Sequence, residues 1–231
     1  MKRTNKSDTR KSGNNCSMAW IPVFTTTLLG FSASACSDGE QEAPHLTATQ
    51  VCDSTLDTSA AEALERMGAT EKFGETYRDS PEGFSLTRAA QTLHADVPQR
   101  NSCYVYKLDD HTGRPLIDVE FFAIDRYMKP DHSPDKGDTE NKFYPIGLYA
   151  KTHGTESATL YFKCSTQGGG NETPYVKATL FSASGEVSPK ATGQDLMTIL
   201  GTMSRALAKQ VGCASEAALP AQITEAAQSS G

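Results

Sequence analysis

The placement of cysteines constrains this chain more than any other feature. Six occur, at positions 16, 36, 52, 103, 164 and 213. No two of the last four are close enough for the C-x-x-C pairs that hold structural zinc. Their role therefore depends on the compartment, which the N-terminus indicates. Lys2, Arg3, Lys6, Arg10 and Lys11 stand against a single acid, Asp8, and no charge falls between Ser12 and Ser37. The centre of that window is apolar, with Met18-Ala-Trp-Ile-Pro-Val-Phe24 followed by Leu28-Leu29-Gly30-Phe31. A basic start, an apolar middle and a small-residue end make a secretory signal. A permanent transmembrane helix is the rival, but a span needs about 20 mostly apolar residues. Pro22, Thr25-Thr26-Thr27 and several serines interrupt this one. Residues 1–35 read as a signal peptide, and the chain as exported.

The signal ends in Ala33-Ser34-Ala35-Cys36. This run resembles the lipobox of bacterial lipoproteins. In that family the cysteine thiol is alkylated with diacylglycerol, acyl chains such as palmitate enter the membrane, and the chain is cut just before the cysteine. Ser34 and Ala35 fit the pattern, whereas Ala33 stands where Leu is commonest. The resemblance implies lipid attachment at Cys36 and a place on the extracytoplasmic face of the cell membrane. An ordinary A-x-A site at the same residues would instead release a soluble chain beginning at Cys36. Each buried methylene contributes about 0.8 kcal/mol, so two acyl chains anchor stably where one is marginal. The segment 36–50, opening Ser37-Asp-Gly-Glu-Gln-Glu-Ala-Pro44, is polar without hydrophobic period and reads as a flexible tether.

Cys16 leaves with the signal and Cys36 is assigned to lipid. Cys52, Cys103, Cys164 and Cys213 remain, an even number that in an exported chain implies two disulfides. Four cysteines allow three pairings. The expectation is Cys103–Cys164, since both lie at ends of predicted strands, with Cys52–Cys213 tying the start of the folded unit 51–213 to its end.

The first 35 residues carry five basic groups and one acid, so with the whole chain at −6 the remainder holds −10. Such a surface repels phosphate backbones and argues against nucleic-acid partners.

Hydrophobic spacing predicts an α+β fold. A first helix is expected from a Ser59–Glu62 capping box to Gly68, and a second from Ser85 to about His94. About five strands follow: 103–108, 116–124, 143–150, 157–164 and 175–181. The last two flank a loop from Ser165 to Pro174. From Gln194 to Val211, apolar residues at Leu196, Ile199, Leu200, Met203, Leu207 and Val211 keep a 3–4 rhythm ended by Gly212. The implied architecture is an antiparallel sheet with N-terminal helices and a long C-terminal helix packed on one face. Residues 214–231 read as a mobile tail.

Local catalytic and metal signatures are not found. His45, His94, His111, His132 and His153 are scattered, and no nucleophile elbow follows residue 35. Gly168-Gly169-Gly170 leads into a strand rather than a helix, which suits a hairpin loop and not a phosphate cradle. The acidic run from Asp131 to Asn141 lacks the alternating ligands of a calcium loop and reads as a solvated loop. No cofactor, metal ligand or catalytic residue is assigned. Tyr104, Tyr106, Phe121, Phe122, Tyr161, Phe162, Tyr175 and Phe181 read first as core and cross-strand pairs. Their outward-facing members are the candidates if a ligand site exists.

Beyond the lipobox, Val51-Cys-Asp53, Leu160-Tyr-Phe-Lys-Cys164 and a final helix running into Gly212-Cys213 are similar in style to small secreted lipoproteins of high-GC Gram-positive bacteria (actinobacteria). The likeness implies the outer face of the cytoplasmic membrane and brings no activity with it. Two functions stay open: a non-catalytic envelope protein that binds a partner protein or small molecule, or an envelope enzyme whose site assembles from distant residues.

Overall fold

Alternation of apolar and polar residues along the strands decides which side of the sheet is buried. The computed structural model describes residues 45–75, 83–96, 100–127, 140–168 and 170–226. The signal 1–35, Cys36 and residues 131–139 of the acidic loop lie outside them.

The chain runs α1 (Val51–Ser54), α2 (Thr58–Gly68), β1 (Phe73–Gly74), α3 (Leu86–Gln91), β2 (Cys103–Lys107), β3 (Ile117–Ile124), β4 (Asn141–Phe143), β5 (Tyr149–His153), β6 (Ser157–Gly168), β7 (Asn171–Ser182), α4 (Gly193–Val211) and α5 (Ala214–Ala217). The strands form one seven-stranded sheet in the order β1-β2-β3-β7-β6-β5-β4, antiparallel throughout.

The α+β class stands, with α4 packed against the sheet, but the sheet exceeds the five strands expected. The stretch 143–150 does not form one strand. Tyr144-Pro-Ile-Gly-Leu148 folds away between β4 and β5, with Gly147 at φ +64°. The two-residue β1 is too short for alternation to show. The expected long hairpin loop is also largely ladder, since Thr166 pairs with Thr173 and Gly168 with Asn171.

One face of the sheet meets the helices. Val105, Ile117, Val119, Leu160, Phe162, Val176 and Leu180 are fully buried there with Leu196, Ile199, Leu200, Met203 and Leu207 of α4. α4 starts as its sequence demands: the Thr192 hydroxyl accepts from the Asp195 N–H while the Asp195 carboxylate accepts from the Thr192 N–H. Gly212 then ends it at φ 90°, a left-handed conformation glycine adopts without steric cost. Asp195 is itself buried and pairs with Arg66 at 2.7 Å.

Three expectations at the helices need correction. The cap of α2 is Asp57, whose Oδ1 accepts from the Ala60 N–H at 3.0 Å, and not Ser59. Gly68 does not stop α2 by its conformation, because the left-handed residue is Ala69 (φ 51°). A Cβ on Gly68 would lie 3.0 Å from Leu116 Cδ2 and 3.2 Å from Phe73 Cε1, so the glycine serves close packing. α3 ends at Gln91, three residues before His94.

The disulfides are Cys52–Cys103 and Cys164–Cys213, with Cα separations of 5.6 and 5.2 Å. The expected Cys103–Cys164 and Cys52–Cys213 pairs are not formed. Sheet order explains this: β3 and β7 lie between β2 and β6. Three strand spacings amount to about 14 Å, beyond the reach of a disulfide.

The fold also extends past both expected limits. Leu46 bridges to Phe73 and Ala48 is fully buried, so residues 45–50 belong to the domain rather than to a tether. The stretch 214–226, read as mobile, lies against α4. There Gln194 Nε2 donates to the Ile223 carbonyl (3.1 Å) and Arg205 to the Pro220 carbonyl (2.9 Å). Two aliphatics in a polar stretch gave no periodicity to find, yet Leu219 and Ile223 both pack on the core. Among the described residues no helix is long and apolar enough to cross a membrane.

Candidate functional site

The opposite face of the sheet is covered by no described helix or strand, and it carries a lattice of aromatic and charged side chains. Register places them in rows across the strands. One row runs Tyr104, Asp118, Phe181, Ser157, His153 and Asn141 through β2, β3, β7, β6, β5 and β4. The next holds Glu120, Thr179, Thr159, Lys151 and Phe143. A third holds Phe122, Lys177, Tyr161 and Tyr149.

The third row is internally satisfied. The Arg100 guanidinium stacks 4.6 Å above Phe122, and Lys177 Nζ lies 5.1 and 5.6 Å from the Phe122 and Tyr161 rings. Tyr161 contacts Tyr149 (5.9 Å between ring centroids) and Tyr127 (5.4 Å), and Tyr127 also reaches Tyr175. Burial pushes the Tyr127 and Tyr149 hydroxyls above the usual tyrosine range. These rings cover one another and form a second, smaller apolar layer.

The first row differs. Tyr104 is 40% exposed and Phe181 52%, the large hydrophobics that stand out to solvent. Between them the Asp118 carboxyl is partly buried, and its Oδ1 has no hydrogen-bond partner among the described residues. Burial, with repulsion from Glu120 adding to it, pushes Asp118 up to about 7. Burial and the Asp118 charge together raise Tyr104 in turn. Glu120 accepts from the Ser102 hydroxyl at 3.1 Å.

A shallow cleft of about 700 Å³ opens at the end of β3, lined by Leu93, His94, Asp96, Arg100, Asp125 and Arg126 among others. His94, at the mouth of this cleft, is tied to buried threonines. Its Nε2 lies 3.0 Å from Thr166 Oγ1, which lies 2.8 Å from Thr173 Oγ1, and both threonines are buried. Its acids and bases balance in charge, so the cleft selects no charge class.

The other residues singled out in the sequence are dispersed over the fold. Cys52, Cys103, Cys164 and Cys213 are buried disulfide residues away from the uncovered face. Glu75 sits beside the first bridge, accepting from the backbone N–H groups of Cys52 and Phe84. Cys52, Glu75 and Cys103 are the only grouping of metal-type ligands among the described residues. Their sulfurs are bonded to each other and offer no thiolate. Of the eight aromatics, Phe121 and Phe162 belong to the core, whereas Tyr104 and Phe181 reach solvent. His153 pairs with Glu140 (3.1 Å), the described end of the acidic loop, and His132 and Cys36 lie outside the described residues.

Asp118 has no signal of its own in the sequence. Alternation in Ile117-Asp-Val-Glu-Phe121 puts it on the outer face, but only the cross-strand register shows that two large rings flank it.

No protein-family model matches the chain, and neither curated proteins nor solved structures give a match. Its class is therefore defined by its own architecture: an α+β domain with two disulfides, suited to an oxidising, extracytoplasmic compartment.

Proposed function

We propose that this is a lipid-anchored extracytoplasmic binding protein, held to the membrane through Cys36, whose sheet face opposite α4 receives a partner. The observation that carries the binding half is the exposure of Tyr104 and Phe181 beside Asp118, on a face whose other aromatics cover each other. Aromatic side chains are enriched at interface cores, where a large rigid surface is desolvated at low entropic cost. The anchoring half is supported by the lipobox resemblance and by disulfides that fit export.

The enzyme alternative would draw on Asp118 and Glu120, two residues apart on one side of β3. Substrate sites are concave, and neither carboxyl lines the cleft at the end of β3. A binding role fits it better.

The test uses a photoreactive phenylalanine analogue at position 181, with the same analogue at the exposed Glu62 of α2 as control. Illumination of intact cells should give discrete crosslinks from 181 and few from 62. Equal patterns from both positions contradict the assignment of the face. Mass spectrometry of the Cys36 peptide tests the anchor: a diacylglyceryl adduct is expected, and an unmodified soluble chain starting at residue 36 removes that half.

A further inference from the structure

We infer that Tyr104, Asp118 and Phe181 form a docking site for a lysine or arginine side chain of a partner protein, with the cation seated on the Asp118 carboxylate between two rings. The inference rests on reading the face as a binding surface and names the chemistry of its occupant.

The geometry is set by register. Tyr104 and Phe181 are both direct cross-strand partners of Asp118. Adjacent partners lie about 5 Å apart, so the two ring-bearing residues are about 10 Å apart with the carboxyl midway. A cation interacts with a ring within about 6 Å of its centroid. One placed above Asp118 lies between the two ring-bearing strands, where either ring can turn onto it.

The charge around the site is uncompensated among the described residues. Asp118 Oδ1, itself shielded from solvent, lacks a hydrogen-bond partner there, which leaves the other carboxyl oxygen to meet a cation, and Glu120 on the same strand adds a second negative charge. From β2 the facing ionisable groups are Tyr104 and Tyr106, and from β7 the neighbours Phe181 and Thr179 carry no charge. Nearby cations are engaged elsewhere: Lys107 with Glu186 at 2.9 Å, and Lys177 and Arg100 on aromatic rings. A carboxylate held between two rings in this way complements an ammonium or guanidinium group.

The shape favours a side chain presented by a protein over a free small cation. Small-molecule sites are concave and enclose most of their ligand, whereas this row lies on a sheet face that no described helix or strand covers. The charge of −10 on residues 36–231 also favours a basic partner.

Binding is then linked to protons. With Asp118 titrating near neutrality in the free protein, an arriving cation displaces its proton to the buffer. Apparent affinity follows the ionised fraction, so it should be about tenfold higher at pH 8 than at pH 6.

The experiment titrates the purified full-length protein with hexalysine, followed by calorimetry in two buffers of different ionisation enthalpy and by amide NMR. Expected are shifts centred on residues 104, 118 and 181, proton release near pH 7, and about tenfold weaker binding at pH 6. D118N should abolish the proton release and the pH dependence. F181A, at an exposed position that leaves the core intact, should weaken binding several-fold. His153 also lies in this row, so H153Q must leave the pH dependence unchanged. Binding that survives D118N undiminished, or shifts confined to other residues, overturns the inference. Crosslinks from position 181 that persist in D118N would then show that the face binds by other means. Their absence in the unsubstituted protein removes the broader reading as well.

Discussion

Replacing Asp118 by Asn should stabilise this protein, and only above acidic pH. Folding buries the Asp118 carboxyl beside Tyr104, Phe181 and Glu120 and raises its pKa from 3.8 to about 7. The direction is opposite to that of a salt-bridged carboxylate. Between those two values the folded chain holds a proton that the unfolded chain has released, so stability falls as pH rises through this window. Below about pH 4 both states are protonated and the cost is absent. Above about pH 7 both are ionised and the cost is complete. A rise of about 3 pKa units corresponds to about 4 kcal/mol. The side chain is partly exposed and solvent screens it, so about 2 kcal/mol is the figure to expect. Asn keeps the shape and removes the charge, and Glu120 loses its repulsive neighbour as well. For a domain of this size the gain is about 4–8 °C in melting temperature at pH 8, shrinking toward zero at pH 4. Thermal unfolding of both proteins at pH 4, 6 and 8 with disulfides intact gives the comparison. The difference between the two curves isolates Asp118 from Glu75, whose carboxyl burial also raises. A D118N protein no more stable at pH 8, or equally stabilised at pH 4, would refute the reasoning.

Other consequences of the fold can be checked in the same way. Non-reducing peptide mapping should recover only Cys52–Cys103 and Cys164–Cys213 linkages. Replacing either pair by Ser should cost about 4 kcal/mol in denaturant unfolding, the loop-closure value for loops of about 50 residues. Phe162→Ala, at a fully buried position, should cost about 3–5 kcal/mol. Phe181→Ala, 52% exposed, should change stability by no more than about 0.5 kcal/mol. Gly201→Val should loosen the C-terminal segment, because even a Cβ there would lie 2.6 Å from Ile223 Cδ1. Limited proteolysis should then cleave within 219–226 while α4 stays protected.

Local patterns carried much of the fold into view. The 3–4 rhythm of α4 fixed its extent to within a residue, and alternation in β3, β6 and β7 located the long central strands. What depended on distant pairing did not show. Strand order decided the disulfides, because β3 and β7 separate Cys103 from Cys164. The residues Cys52, Asp53 and Ser54 all take positive φ without a glycine or asparagine to signal it. Alternation puts Asp118 and Glu120 on the outer face of β3, and Lys177, Thr179 and Phe181 on that of β7, without saying which rings there are covered by their neighbours. Tyr104 and Phe181 were therefore indistinguishable in sequence from Phe122 and Tyr161, which lie on the same face beneath other side chains. Asp118 looked like any outward acid, since the residues that flank it come from two other strands.

The uncovered face is most directly tested where the protein works. Hydroxyl-radical footprinting of intact cells and of the purified protein compares the access of Tyr104 and Phe181 in the two settings, with exposed His111 in the β2–β3 connection as internal reference. If this face receives a partner, Tyr104 and Phe181 will be oxidised readily in the purified protein and several-fold less on cells, while His111 reacts equally in both. Equal oxidation of Tyr104 and Phe181 on cells and in isolation would contradict it.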